Sequence, residues 1–87
     1  MLASWSCAAF NVIYLELDPG ALLNAEAHPD GTQEFVTVFS GALEGRAGQD
    51  TVEVPAPGSI RFRADRPHGY RNTSEELCHL SMIIYYP

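Results

Sequence analysis

Short runs of strand-forming residues, separated by glycine and proline turn signals, constrain this chain more than any other feature. The runs recur at intervals of about 8 to 12 residues, and no segment has a sustained helical period. This spacing favours an all-β sandwich or barrel. The predicted strands are 10–17, 22–28, 34–39, 42–46, 51–54, 59–62, 69–72 and 77–86. Gly45, inside the fourth strand, indicates a bulge or a weakened edge strand.

The chain length and composition favour one globular domain spanning residues 1–87. Of the 87 residues, 46% are hydrophobic and 18% are charged, and two domains would leave neither with enough apolar surface to bury. No apolar run approaches the roughly 20 residues of a membrane span. The start, "MLASWSCAAF", lacks the basic region of a signal peptide. We therefore expect a cytoplasmic protein.

The charge balance and the cysteine count narrow the function further. Eleven acidic and five basic side chains give a formal charge of -6, which argues against direct contact with a nucleic-acid backbone. Two cysteines, Cys7 and Cys78, are too few for a disulfide framework, so we expect two reduced and partly buried thiols, with a bridge between them as the alternative. Cys78 and His79 are strand neighbours and should point to opposite faces.

Apolar residues occur on both faces of the main predicted strands. Glu34, Val36 and Val38 share one face of their strand, whereas Phe35 and Phe39 share the other. The first and last strands show the same pattern. A sheet that is apolar on both sides must be covered on both sides, and a second copy of the chain is the expected cover because no helix is predicted. The sequence therefore predicts a homodimer.

Side chains that bind metals or polar ligands gather in three segments of the sequence. They are Glu26 and His28 in "NAEAH", Glu34 in the following strand, and His68, Tyr70 and Asn72 in "RPHGYRN". Glu34 shares its face with two valines, so it should point inward, where a buried carboxylate needs a partner. His28 and His68 are the available partners. They satisfy Glu34 either by sharing a metal with it or by a histidine–carboxylate hydrogen bond.

The segments "PGALLNAEAHPDGTQEFVTVFSG" and "PGSIRFRADRPHGYRN" resemble the two conserved motifs of the cupin superfamily. This resemblance covers about half the chain and implies a double-stranded β-helix, or jelly-roll cupin barrel. Residue by residue, His28, Glu34 and His68 match metal-ligand positions of those motifs. Glu26 stands where the first motif histidine is usual, and one extra residue separates His28 from Glu34.

The resemblance thus implies a divalent transition metal, Zn, Ni, Mn or Fe, held by His28, Glu34, His68 and Glu26, and a metal-free pocket is the alternative. Glu34, His68, Tyr70 and Asn72 are the predicted contacts for a small ligand.

A closer resemblance rests on "HPDGTQEFVTVFSGALE", "IRFRADRPHGYRN" and the ending "IIYYP". Together these look like the C-terminal cupin domain of helix-turn-helix regulators of the xenobiotic-response-element class. In such regulators the barrel binds a small effector and dimerises, and a DNA-binding domain precedes it. The resemblance implies either a stand-alone relative or the sensor half of a longer protein.

Three functions remain open at this point. The leading prediction is a small-molecule-binding module of the type found in transcriptional regulators. The alternatives are a metal-dependent enzyme acting on a small polar or aromatic substrate and a structural dimerisation module. The arginines near His68 either hold an acidic effector or form a solvated face, and the alternation of Arg61 and Arg63 with Ile60 and Phe62 favours the solvated face.

Overall fold

A computed structural model describes residues 9–87, which form eight strands and no helix. The strands are β1 (Ala9–Leu17), β2 (Leu22–Ala25), β3 (Gln33–Ser40), β4 (Ala42–Ala47), β5 (Asp50–Pro55), β6 (Gly58–Arg63), β7 (His68–Asn72) and β8 (Cys78–Tyr86). Within these residues, no helix is long and apolar enough to cross a membrane. The predicted number of strands and their approximate positions along the chain are confirmed.

The strands form two four-stranded antiparallel sheets. One has the order β1-β8-β3-β6 and the other the order β2-β7-β4-β5. The two sheets pair face to face around one core, and consecutive strands repeatedly cross from one sheet to the other. This is the predicted all-β double-stranded β-helix.

The core lies between the two inner faces of the sheets. Val36 and Val38 of β3 are fully buried, as are Leu43 of β4 and Leu80 of β8. Phe35 and Phe39, on the opposite face of β3, are exposed. The predicted alternation of β3 is therefore confirmed, because successive side chains of a strand point to opposite faces.

Two local predictions are wrong. The strand predicted over 22–28 ends at Ala25, because the following residues bond to the β6–β7 connection instead of continuing the ladder with β7. Gly45 lies neither in a bulge nor at an edge, since β4 runs between β5 and β7 with unbroken register. A Cβ at Gly45 would lie 3.0 Å from Cδ1 of Ile60, so the position accommodates a side chain of the facing sheet.

The outer face of the β1-β8-β3-β6 sheet carries a continuous set of apolar side chains. Val12 pairs with Ile83, and Ile83 pairs with Phe35 on its other side, which makes one apolar row across three strands. All three are exposed, as are Phe10, Tyr14 and Phe39. The predicted second apolar face is thus present on this sheet.

The two cysteines differ in how far the structure describes them. Cys78 is fully buried, and burial, followed by the nearby charge of Glu76, raises the pKa of its thiol. His79 points to the other face and pairs with Glu16, Nδ1 to Oε2 at 3.4 Å. Cys7 lies outside the described residues, so its pairing stays a prediction.

Candidate functional site

Glu34 lies near the start of β3 and points into the barrel. It is only 1% exposed, and its strand neighbours across the sheet are Phe62 of β6 and Ile84 of β8. A carboxylate in this apolar setting requires hydrogen-bond partners for both oxygens. The facing strand β7 supplies them.

Tyr70 and His68 of β7 contact the two oxygens of Glu34 separately. The hydroxyl of Tyr70 donates to Oε1, and Nε2 of His68 lies 2.8 Å from Oε2. Both side chains are buried, and burial together with the Glu34 hydrogen bond raises the pKa of Tyr70 well above its ordinary value. Tyr70 therefore stays a neutral donor at physiological pH.

The backbone determines which nitrogen of His68 carries a proton. Nδ1 lies 2.8 Å from the carbonyl oxygen of Arg66, and a carbonyl only accepts, so Nδ1 donates. In the neutral imidazole, Nε2 then presents a lone pair to Oε2 of Glu34. Two facing acceptors at 2.8 Å require either a shared proton or a cation between or beside them.

His28 completes the Glu34 cluster, a name used below for Glu34, His68, Tyr70 and His28. Its Nε2 lies 3.4 Å from Oε2 of Glu34, and its side chain is 27% exposed, so it connects the buried group to solvent. The ring of His28 lies 5.3 Å from that of His68 between centroids. Although His28 is not part of a strand, its backbone N–H donates to the carbonyl of Ala64 at 2.9 Å.

Asp65 ties the loop that carries His28 to the loop that precedes His68. Its Oδ2 accepts from the backbone N–H of Gly31 at 2.9 Å and from Arg63 at 2.5 Å. The Arg63 hydrogen bond, then the Gly31 N–H, lowers the pKa of Asp65 to about 2. Thr32 adds two further bonds, from its hydroxyl to Pro29 and from Ala64 to its carbonyl. The two histidines are thus positioned by one hydrogen-bonded unit.

The donor atoms of His28, Glu34 and His68 fit a divalent metal. They all lie within 4.8 Å of one another, and two imidazoles with one carboxylate are the ligand types of Zn, Mn, Fe and Ni sites. The Nδ1 bond of His68 to a carbonyl directs Nε2 toward the other donors, as metal-binding histidines commonly require. Glu26, predicted as a fourth ligand, is exposed and is not among these donors, because β2 ends before it.

Asn72 is buried but does not contact the Glu34 cluster. Its Nδ2 donates to the carbonyls of Leu17 and Glu76 at 2.9 and 2.8 Å, and its Oδ1 accepts from the backbone and hydroxyl of Ser74. These bonds use its whole hydrogen-bonding capacity. Asn72 thus organises the β7–β8 connection. It was predicted to contact a ligand, but its side chain has no donor or acceptor left for one.

Two residues at the site were not predicted from the sequence. The ring of Phe62 lies 5.7 Å from that of His68 and 5.9 Å from that of Tyr70, so it forms one wall of the cluster. Its inward direction is indicated by alternation with the flanking arginines. Asp65 has no comparable signal, because its partner Gly31 is 34 residues away.

This fold and this set of inward-facing histidines and glutamate define a barrel of the cupin type. The family model described as Cupin domain matches residues 13–85. The chain belongs to this family.

Two of the similar proteins are described as transcriptional regulators or as a domain of one. A solved Cupin_2 domain of an XRE-family transcriptional regulator from Enterobacter cloacae is 36% identical, with a TM-score of 0.83 over 90% of this chain and 82% of that one. The HTH-type transcriptional regulator SutR of Escherichia coli K12 is 30% identical over 78 residues, 90% of this chain and 44% of SutR. This chain thus spans less than half the length of that relative.

Two more distant structures share the fold alone. One is an HTH_3 family transcriptional regulator from Vibrio cholerae, 24% identical with a TM-score of 0.83 over 90% of this chain and 43% of that chain. The other is a de novo designed double-stranded β-helix, 18% identical with a TM-score of 0.71 over 85% of this chain and 97% of that chain. The predicted resemblance to regulator-associated cupin domains is confirmed.

Proposed function

We propose that this chain is a cytoplasmic small-molecule-binding module of a transcriptional regulator, with the Glu34 cluster as the polar part of its ligand pocket. The observation that carries the proposal is a carboxylate, an imidazole and a phenol buried together beside the apolar core of the barrel. Buried polar groups cost stability relative to apolar packing of the same volume. Their presence beside a solvent-connected histidine supports a binding role.

Within the pocket each residue has a distinct capacity. His28, being partly exposed, meets an entering ligand first. Glu34 accepts or shares a proton at Oε2, and Tyr70 satisfies Oε1 by donating a hydrogen bond to it. Regulation follows if the ligand binds one arrangement of the dimer more tightly than another, since only differential affinity shifts such an equilibrium.

Thermal denaturation with a metabolite panel tests the binding proposal. Ligands that bind the folded chain raise its melting temperature, and those that use the cluster should lose this effect in His28→Ala. His79→Ala is the matched control, because His79 is also partly exposed but pairs with Glu16 on the outer face. If no compound raises the melting temperature of the unaltered protein, or if both variants respond alike, the proposal is wrong.

The donor set of His28, Glu34 and His68 supports a second function, a metal-dependent enzyme acting on a small polar or aromatic substrate. When bound, a divalent metal would supply Lewis acidity at the mouth of the barrel. His68 is oriented for this by Arg66, and Tyr70 holds the carboxylate of Glu34 in place. We rank this function second because Glu34 and both histidines would be metal ligands, which leaves Tyr70 as the one further proton donor among the four cluster residues.

Elemental mass spectrometry on untagged protein, purified without added metal, distinguishes the two functions. A metal cofactor predicts near-stoichiometric metal in the unaltered protein and in His79→Ala, and little in His28→Ala or in the Glu34→Ala, His68→Ala double variant. Circular dichroism establishes that each variant is folded. Metal absent from the unaltered protein would overturn the enzyme proposal and leave a metal-free pocket.

We further propose that two copies of the chain pair through the outer face of the β1-β8-β3-β6 sheet. The Val12, Ile83 and Phe35 row is uncharged and exposed, and aromatic pairs extend it at both ends. Phe10 packs against Tyr85 with ring centroids 5.1 Å apart, and Tyr14 stacks on Phe39 at 6.1 Å. A contiguous apolar patch of this kind is typical of an interaction surface.

A further inference from the structure

A cavity lies beside the Glu34 cluster, at the side of the barrel where the edges of the two sheets face each other. It has a volume of about 420 Å³ and is bordered by β5 and β6, which are edge strands of different sheets, and by β4, the neighbour of β5. Val52, Ile60 and Phe62 give it an apolar surface. Phe62 separates it from the cluster, since the same ring contacts His68 and Tyr70. None of the cluster residues lines this cavity.

Gly45 borders the cavity and leaves room for Ile60. A Cβ at this position would lie 3.0 Å from Cδ1 of Ile60 and 3.8 Å from Cγ1 of Val52, both of which line the cavity. Any larger side chain would therefore project into it. A strand interior ordinarily disfavours glycine, and here the missing side chain lets Ile60 pack against β4 as part of the cavity wall.

The charge around the cavity is opposite to that of the chain as a whole. The net charge is -6, with five basic residues that are all arginines. Four of the five line this one cavity, namely Arg46, Arg61, Arg63 and Arg66, and Asp50 is the one acidic side chain among its lining residues. Low-dielectric walls with charges of one sign concentrate an attractive potential for anions.

Two of these guanidinium groups are already engaged and one has an unsatisfied donor. Arg63 binds Asp65, and Arg46 donates to Oδ1 of Asn24 at 2.9 Å. Nε of Arg66 is buried and, within residues 9–87, has no hydrogen-bond partner, since Oδ1 of Asp65 lies 3.8 Å away. That nitrogen atom is closed to a ligand, but the Arg66 side chain as a whole is 43% exposed and lines the cavity, so the rest of its guanidinium group can meet an anion there.

We propose that this cavity binds a small organic anion, with its carboxylate on Arg66 and its hydrocarbon or aromatic body on Val52, Ile60 and Phe62. Guanidinium groups match carboxylates in shape and charge, and an apolar wall with a few polar groups is typical of ligand pockets. The inference rests on the proposed binding function and names the ligand class. An occupant would reach the Glu34 cluster through a single side chain, Phe62.

Phenylacetate and its neutral analogue phenylacetamide test the proposal as a matched pair of probes. Amide NMR titration should show phenylacetate shifting the signals of residues 45–52 and 60–66. Phenylacetamide should bind at least about tenfold more weakly, because charge-assisted hydrogen bonds contribute at least that factor. Added salt should weaken only the phenylacetate interaction.

Three variants test the contribution of the arginine charge and of the space in the cavity. Arg66→Gln should weaken phenylacetate binding about tenfold, whereas Arg71→Gln, which alters the one arginine outside the cavity, should bind as the unaltered protein does. Val52→Phe fills the cavity from a half-exposed position without changing charge, and it should weaken both probes.

Three results would overturn the anion site: equal binding of the two probes, equal behaviour of the two arginine variants, or no phenylacetate shifts at the cavity. These outcomes are distinguishable from failure of the proposed function. A compound that stabilises the protein through His28, with no phenylacetate shifts at the cavity, would support the proposed function and reject this site. Phenylacetate binding at the cavity with no response in the metabolite panel would do the reverse.

Discussion

At the scale of single residues, Glu34 illustrates how a carboxylate is accommodated inside an apolar barrel. One oxygen receives the hydroxyl of Tyr70, and the other faces Nε2 of His68 and of His28. Tyr70 stays protonated and can donate, since burial and Glu34 both raise its pKa. Removing the Tyr70 hydroxyl leaves Oε1 of Glu34, a buried hydrogen-bond acceptor, without its donor.

We expect Tyr70→Phe to lower the free energy of unfolding by about 1 to 3 kcal/mol, the cost of an unsatisfied buried acceptor. Urea denaturation followed by circular dichroism measures it. Tyr14→Phe is the control, because Tyr14 is 75% exposed and a surface substitution should stay within about 0.5 kcal/mol. Equal effects of the two substitutions would show that the Tyr70 hydroxyl does not support Glu34.

At the scale of strands and loops, the site depends on the bonds that join residues 26–32 to residues 64–67. Asp65 makes this connection by accepting the backbone N–H of Gly31, and its ion pair with Arg63 at the end of β6 holds the carboxylate in place. The connection matters because neither His28 nor its loop belongs to the sheet. The strands alone would leave one histidine of the cluster without a fixed position.

The Asp65 bonds predict a specific pH dependence of stability. The pKa of Asp65 is about 2 in the folded chain, below its ordinary value of 3.8, so the ionised carboxylate favours folding. Its contribution is complete above about pH 4 and is lost as the pH falls toward about 2. The difference in urea midpoint between the unaltered protein and Asp65→Asn should therefore be constant at neutral pH and shrink below about pH 4. A difference that is independent of pH would contradict this.

The turn glycines provide a second test at this scale. Gly20 and Gly41 both have positive φ, 77° and 78°, but a Cβ at Gly20 would meet nothing within 4 Å. At Gly41 it would lie 2.9 Å from Oγ of Ser74 and 3.2 Å from Cα of Cys78.

We expect Gly20→Ala to destabilise the fold by about 1 to 2 kcal/mol from backbone strain alone, and Gly41→Ala to destabilise it more, because the Cys78 backbone cannot move aside freely. Denaturant midpoints give the comparison, and equal losses would show that crowding at Gly41 is relieved locally.

For the whole molecule, the main feature is the apolar outer face of the β1-β8-β3-β6 sheet, because a barrel that stays monomeric has no use for so many exposed apolar side chains. We predict that the protein sediments as a dimer at micromolar concentration and that Val12→Asp makes it monomeric, because the charge would be buried in the interface. Val52→Asp is the control, since Val52 is also exposed but belongs to the other sheet. A monomeric unaltered protein would refute the dimer.

The prediction from sequence succeeded where local patterns carry the information. The alternation in β3 directed Glu34 inward with Val36 and Val38, and the placement of His68 and Tyr70 on one face of β7 followed from the same rule. It failed at the end of β2 and at Gly45, where the deciding contacts come from distant residues: Ala64 bonds to His28, and Ile60 fills the space above Gly45. Turn and propensity signals do not report such contacts.

Sequence patterns were sufficient for the all-β class, the approximate positions of the strands and the inward direction of Glu34, Val36 and Val38, because these depend on a period of two and on turn residues close in the chain. Three facts required the tertiary structure. The hydrogen bonds of Asn72 are all made to Leu17 and to the β7–β8 connection, Glu26 lies outside the cluster, and four arginines line one cavity. Those facts depend on how two sheets pack and on hydrogen bonds between residues more than 30 positions apart, such as Gly31 and Asp65. A one-dimensional pattern does not contain these distances.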